Sequence, residues 1–188
     1  MRRRVTLFCG GLILACAIAS AQNLEKFVVT GEAAKHILTK TEISADTAAK
    51  IVQACVDFAK AHNVAVSVFV ISPQGQIVHA HRMDGQTPIN TETGLMKAQS
   101  VLYTRTSSHD YANRITNNLS LQVRWDKLPV YPVSGGLPII VDDQMIGAIG
   151  VGGSNMDEEC AYEAITKVVG PQPPLVQSPA PGGRGPAR

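Results

Sequence analysis

The chain is poor in charge, in aromatic rings and in the short motifs that announce a chemistry. Charged residues make up 17% of its 188 positions and aromatic residues 5%, with a single tryptophan. Net charge is only +2, and several basic residues sit at the two ends: Arg2, Arg3 and Arg4 at the start, Arg184 and Arg188 at the finish. The middle is therefore close to neutral. It offers no clustered basic surface to hold a phosphate backbone, which argues against a nucleic-acid partner. There is no C-x-x-C, so neither a zinc ribbon nor thioredoxin chemistry is indicated. There is no C-x-x-C-H either, so haem attached through thioethers is excluded. G-x-S-x-G and H-E-x-x-H are both missing, and no other nucleophile–base pattern stands out. No catalytic residue is assigned on these grounds, and whether the chain is an enzyme stays open. No internal repeat is visible, and the length suits one domain with enough apolar material (45%) for a core.

The N-terminus carries the clearest local signal. Arg2–Arg4 form a charged head, Val5 to Ile18 an apolar stretch, and Ala19-Ser20-Ala21 a small-residue cleavage site. This pattern predicts a secretory signal peptide over 1–21 and a periplasmic or secreted product with no membrane attachment after cleavage. The apolar run is short for a membrane anchor, which needs about 20 residues. Lipidation at Cys16 is the weaker alternative, because the bulky Leu14 stands just before Ala15. Cys9 and Cys16 leave with the signal. Cys55 and Cys160 remain, both on apolar faces of predicted helices. A disulfide would suit an oxidising compartment, but buried free cysteines are common, and two free thiols are the expectation.

Downstream, 22–43 is a polar lead-in with helical character from Glu32 to Leu38. Ser44 is a good helix cap, and Ala48, Ile51, Val52, Cys55, Phe58 and Ala59 recur at helical spacing to about His62. Val64 to Ile71 and Gln76 to Arg82 read as two strands around the turn Ser72-Pro73-Gln74-Gly75. Thr91 to about Ser107 is helical, and His109 to Thr116 makes a second short helix. Leu137 to Val141 and Gln144 to Val151 form another hairpin around Asp142-Asp143. Ser154 to Asp157 looks like a capping box, and Ala161, Ala164, Ile165 and Val168 line a last helix that Gly170-Pro171 ends. Residues 171–188 are rich in Pro, Gly and Ser and read as a disordered tail. The domain proper is 44–170. Hairpins between helices predict an α+β fold with an antiparallel sheet.

Three segments resemble the GlcG/HbpS family. They are Gly135-Gly136-Leu137-Pro138-Ile139, Met145-Ile146-Gly147-Ala148-Ile149-Gly150-Val151-Gly152-Gly153, and Asp157-Glu158-Glu159-Cys160-Ala161. Met96-Lys97-Ala98 and the hairpin Val68 to Gly75 match as well, so the similarity runs from about Ser44 to Val169. The resemblance implies a profilin-like fold with a five-stranded antiparallel sheet flanked by helices. It also implies assembly into homo-oligomers and non-covalent binding of haem or a related tetrapyrrole. Some members are described as haem-degrading, and related domains accompany cobalamin adenosyltransferases. The family tends to show Val-Ser-Gly where this chain has Val151-Gly152-Gly153.

Several residues could serve such a ligand. His79 and His81 alternate on one strand face and could ligate a metal or haem iron, or simply face solvent. His109 is a third candidate axial ligand, with Asp110 beside it; the other role open to it is capping its helix. Lys97, near the predicted core face, could pair a propionate or a carboxylate of the fold. Arg105 and Arg114 are further cations, and Tyr103, Tyr111 and Tyr131 further oxygen donors or packing groups. Gly150-Val151-Gly152 lacks the third glycine and the parallel strand of a dinucleotide loop. Three functions remain open. The first is a secreted haem- or tetrapyrrole-binding protein for scavenging, storage or haem degradation. The second is an enzyme or accessory of small-acid or corrinoid metabolism, and the third a structural oligomer without a small ligand.

Overall fold

Ser44 opens the first helix as its type suggests. Its Oγ accepts the Thr47 N–H at 3.2 Å, Asp46 lies in the first turn and Lys60 in the last, so charge complements the helix dipole at both ends. The structure is a computed structural model that describes residues 41–116 and 118–175. The segments expected to be a signal peptide with its cleavage site, a helical stretch over 32–38 and a tail beyond 175 lie outside the described residues. Among the described residues nine elements follow one another: α1 (Ala45–Ala61), β1 (Ser67–Ile71), β2 (Ile77–Arg82), α2 (Pro88–Thr104), α3 (Ser108–Ile115), α4 (Leu119–Trp125), β3 (Gly136–Val141), β4 (Gln144–Gly152) and α5 (Asp157–Val169). No described helix is long and apolar enough to cross a membrane.

The sheet is antiparallel in the order β2-β1-β4-β3. Among the described residues it has four strands, which corrects the expectation of five. Two features replace a further strand. Ile43 makes one backbone bond, to the Ile146 carbonyl at 2.8 Å, too little to count as a strand. On the outer edge of β3, the Gln172 side-chain amide takes both backbone groups of Ile140, at 3.0 Å each. Of the residues read as tail, 171–175 are described: Gln172 bonds the edge strand and Leu175 rests against the core, while Pro171, Pro173 and Pro174 are exposed. At the β3–β4 turn, Asp142 and Asp143 both adopt positive φ (48° and 60°), the conformation of a tight two-residue hairpin.

Two helical layers cover the sheet. On one face, Val66, Val68, Val70, Ile139, Ile149 and Val151 meet Ile51, Val52 and Cys55 of α1 and Ala161, Ala164 and Ile165 of α5. On the other, Ile71 and Ala148 meet Ala98 and Val101 of α2. All five residues of β1 are buried because both its faces are covered, which explains its unbroken apolar run; its one polar member, Ser67, bonds Thr91 across to α2 at 3.0 Å. The glycine block now has a physical role. A Cβ at Gly150 or Gly152 would run into the carbonyl oxygens of Gly94 and Asn90, and one at Gly136 into that of Lys97. Helix α2 thus lies backbone to backbone on β3 and β4. In this chain α2 occupies the space that a side chain at 152 would need.

Cys55 and Cys160 form a disulfide between α1 and α5, with Cα atoms 5.1 Å apart. This corrects the expectation of two free thiols. Each cysteine was correctly placed on an apolar helix face, but the pairing depends on α1 and α5 packing side by side, 105 residues apart in sequence. In the chain-entropy view, closing a loop of about 100 residues contributes up to about 5 kcal/mol. We expect the C55A/C160A double variant to lose about 2–5 kcal/mol in urea unfolding. We also expect denatured, unreduced wild-type protein to show no alkylation at either cysteine. Free alkylation of both would overturn the bond.

Candidate functional site

The N-terminal ends of α3 and α5 converge on a cleft of about 770 Å³. Its lining includes Lys97 and His109, the loop residues Val133 and Ser134, Ser154 and Asn155 before α5, and the first turn of α5. Tyr162, Pro174 and Leu175 close the remaining side.

Each wall has a local cause. Ser107 caps α3 by accepting the Asp110 N–H at 2.9 Å, which sets His109 in the helix's first turn. Ser108, fully buried, donates to the Val133 carbonyl at 2.6 Å and accepts from Gly136 N–H at 2.9 Å. That one hydroxyl fixes the 133–136 loop against α3. Before α5 only part of the expected capping box forms. Asp157 Oδ1 accepts from Ser154 N–H (2.9 Å) and from its hydroxyl (3.1 Å), while Ser154 Oγ accepts from Met156 N–H rather than from Asp157. The helix consequently starts at Asp157, and the carboxylate fills the anion position at its N-terminus.

Two polar pairs lie at the base of the cleft. Lys97 Nζ donates to Asp157 Oδ2 at 2.6 Å, with both side chains about 95% buried (5% and 6% exposed). Lys97 therefore pairs a carboxylate of the fold, the second of the two roles its position suggested. Beside it, His109 Nδ1 lies 3.0 Å from Glu158 Oε2, and Glu158 Oε1 is buried with no hydrogen-bond partner. Burial pushes the Glu158 carboxyl above its usual range, and the hydrogen bond and charge of His109 oppose this only in part. Asp110, the sequence neighbour, is not the partner of this contact: its carboxylate accepts from the Thr106 hydroxyl at 2.5 Å.

The structure thus brings Lys97 and His109 together and leaves His79 and His81 apart from them. The latter two are exposed on the edge strand β2 and do not line the cleft. Arg114 is exposed on α3, and Arg105, at the left-handed C-cap of α2, borders a smaller neighbouring cavity. Tyr103 is exposed, and Tyr111 and Tyr131 do not reach the cleft lining. Reading single residues missed Asp157 and Glu158 as site groups, because three acids in a first turn look like dipole partners. Helical spacing held the signal: 157, 158, 161, 164, 165 and 168 share one face, and that face is apolar further along.

Lys97→Met is expected to destabilise the fold by about 3–5 kcal/mol in urea unfolding, since it leaves the Asp157 charge buried without its partner. Asp157→Asn in the same chain should recover most of that loss, and an equal loss in single and double variants would show that the pair is not the cause. Glu158 makes a pH-dependent contribution of known sign. Its raised folded value means that its contribution to stability is fully present below the ordinary glutamate value of about 4.3 and lost as pH rises through the folded value. Glu158→Gln should flatten that part of the stability–pH curve; an unchanged curve would count against the assignment.

Comparison with known proteins places this geometry in context. Protein GlcG of Escherichia coli K12 is 31% identical over 113 residues, spanning 60% of this chain and 83% of its own. The crystal structure of HbpS superimposes with a TM-score of 0.67 at 25% identity, covering 76% of this chain and 99% of that one. The PduOC:heme complex does so with a TM-score of 0.60 at 21% identity, covering 67% and 94%, and shows likeness of fold. Residues 43–166 match the family described as haem degrading protein HbpS-like, and the chain belongs to that family.

Proposed function

We propose that the protein binds haem or a related tetrapyrrole non-covalently in the cleft beside His109, and does so outside the cytoplasm. The observation that carries this reading is the His109–Glu158 contact at the cleft wall. A metal-ligating imidazole usually gives its second ring N–H to a carboxylate, which fixes the tautomer and raises the basicity of the other nitrogen. With Glu158 ionised, the 3.0 Å contact favours the tautomer in which Nδ1–H donates to it.

The rest of the cleft fits a flat ring in shape more than in charge. Its volume lies within the range of about 300–1,000 Å³ usual for small-molecule sites. Val133, Pro174, Leu175 and the Tyr162 ring offer an apolar wall for a flat ring. The cation is the weaker part of the fit, because Lys97 is already neutralised by Asp157. Among the described residues lining the cleft it is the only Lys or Arg, so the propionate edge is the one left towards solvent. The chain's part is to hold and orient the ring and to screen one side of it from water; the redox chemistry of a bound haem would come from its iron.

The extracytoplasmic address is supported by the leader-like N-terminus and by the buried Cys55–Cys160 bond, which suits an oxidising compartment. Self-association is supported by exposed apolar side chains such as Leu119 and Val123 on α4.

Hemin titration followed by absorbance is the test. The wild type should give a saturable, stoichiometric Soret shift. His109→Ala should weaken binding at least about tenfold and alter the band, while His79→Ala and His81→Ala on the edge strand should leave both unchanged. No saturable shift in the wild type would overturn the reading, and loss confined to the edge-strand variants would move the site to β2.

A further inference from the structure

Residues 170–175 leave the end of α5 and cross the outer edge of β3. The matched family region ends at 166, and this segment lies beyond it. Its main tie is at Gln172. The Gln172 side-chain amide acts as a substitute peptide group: its oxygen accepts from Ile140 N–H and its nitrogen donates to the Ile140 carbonyl, both at 3.0 Å. The Tyr162 hydroxyl lies 3.5 Å from the Gln172 carbonyl oxygen, a weak second tie from α5. Ile140 follows the register shift in the β3–β4 pairing. Beyond this point Pro174 and Leu175 border two cavities at once, the 770 Å³ cleft on one side and a 290 Å³ cavity on the other. That second cavity is walled by Leu137, Pro138, Ile140 and Ile165 from the sheet and α5. The segment thus borders both spaces, and it adds Pro174 and Leu175 to the apolar lining that Val133 and Tyr162 share.

We propose that residues 170–175 form a specificity wall of the ligand cleft, latched by Gln172, with Pro174 and Leu175 as the surface that receives the apolar face of a flat ligand. The proposal rests on the haem-type reading for its ligand but not for its latch. Gln172 is a positioning residue in this scheme, and Leu175 a contact residue. Ligand size and flatness are selected by the distance of the wall from His109, and the segment's latch sets that distance.

Three variants of the full chain separate the roles. Gln172→Ala removes the latch, and Gln172→Glu replaces its donor nitrogen with an acceptor facing the Ile140 carbonyl. Leu175→Ala removes the surface and keeps the latch. Hydrogen exchange should quicken at the Ile140 amide in both Gln172 variants and stay at the wild-type rate in Leu175→Ala. Hemin affinity should fall about tenfold in all three, the loss of one packed side chain or of its support. Equal hemin affinity in wild type and all three variants would overturn the wall while leaving the haem reading intact. Failure of the wild type to bind hemin would overturn the haem reading alone. The wall is then decided by anilinonaphthalene sulfonate, an apolar fluorescent probe. Its binding should rise in the Gln172 variants as the two cavities merge, and unchanged fluorescence would overturn the wall.

Discussion

The seat of α2 on the sheet is the constraint on which the remaining structure depends. A helix normally stands off a sheet by the length of its side chains. Here Gly94 on the helix and Gly136, Gly150 and Gly152 on the strands remove those spacers, and main chain rests against main chain. The close seat puts the Lys97 carbonyl over Gly136, so that its side chain is carried past the end of the sheet to Asp157. Gly135, with φ of 120°, is wedged among Val151, Asp157 and the Lys97 ammonium; any Cβ there would lie 2.8 Å from the Cβ of Asp157. A block of glycines that first suggests a phosphate loop is instead a bearing surface, and the position of the buried ion pair follows from it.

The cleft is assembled by segments that meet only in the folded chain. Ser108 ties α3 to the 133–136 loop, Ser154 and Asp157 shape the entry to α5, and residues 174–175 arrive from beyond the last helix. Two pairs are internal to it, Lys97 with Asp157 and His109 with Glu158, while the exposed Glu159 adds a third carboxylate to the lining. Such a site is preorganised at the cost of burying ionisable groups, a cost visible in the raised Glu158 carboxyl. What it presents to a ligand is a shape with one imidazole, one apolar wall and the Glu159 carboxylate at its rim.

Local chemistry was legible in the sequence where it is sufficient in itself. The Ser44 cap, the apolar stripe of α1, both hairpins and the Asp142-Asp143 turn depend on neighbours within a few residues, and the structure has them where periodicity and turn chemistry put them. Helix α2 begins at Pro88 rather than Thr91, since proline is well suited to the first turn of a helix even though it breaks one elsewhere. The short helix α4 was not foreseen, because its stretch carries no clear period. The pairing of Cys55 with Cys160, the choice of Glu158 rather than Asp110 as the partner of His109, and the packing of residues 171–175 were hidden for one reason. Each is a contact between segments whose apposition is set by the sheet, and no local pattern encodes it.

The Cys55–Cys160 bond also has a topological consequence. It closes a covalent ring, and Lys97, His109, the 133–134 loop, Ser154, Asp157 and Glu158 all lie inside that ring. A single cut in an exposed part of the ring, such as the Pro73–Gln74 turn, opens the backbone without parting the chain. Both fragments stay joined through the core, and the two polar pairs at the cleft base are still delivered by the same packed helices. Among the described residues lining the cleft, Tyr162, Pro174 and Leu175 stand outside the ring, so a cut between α5 and residues 174–175 would detach part of the apolar wall and spare the polar floor. In an environment rich in proteases, the molecule is tolerant of damage on one side of its site and exposed to it on the other.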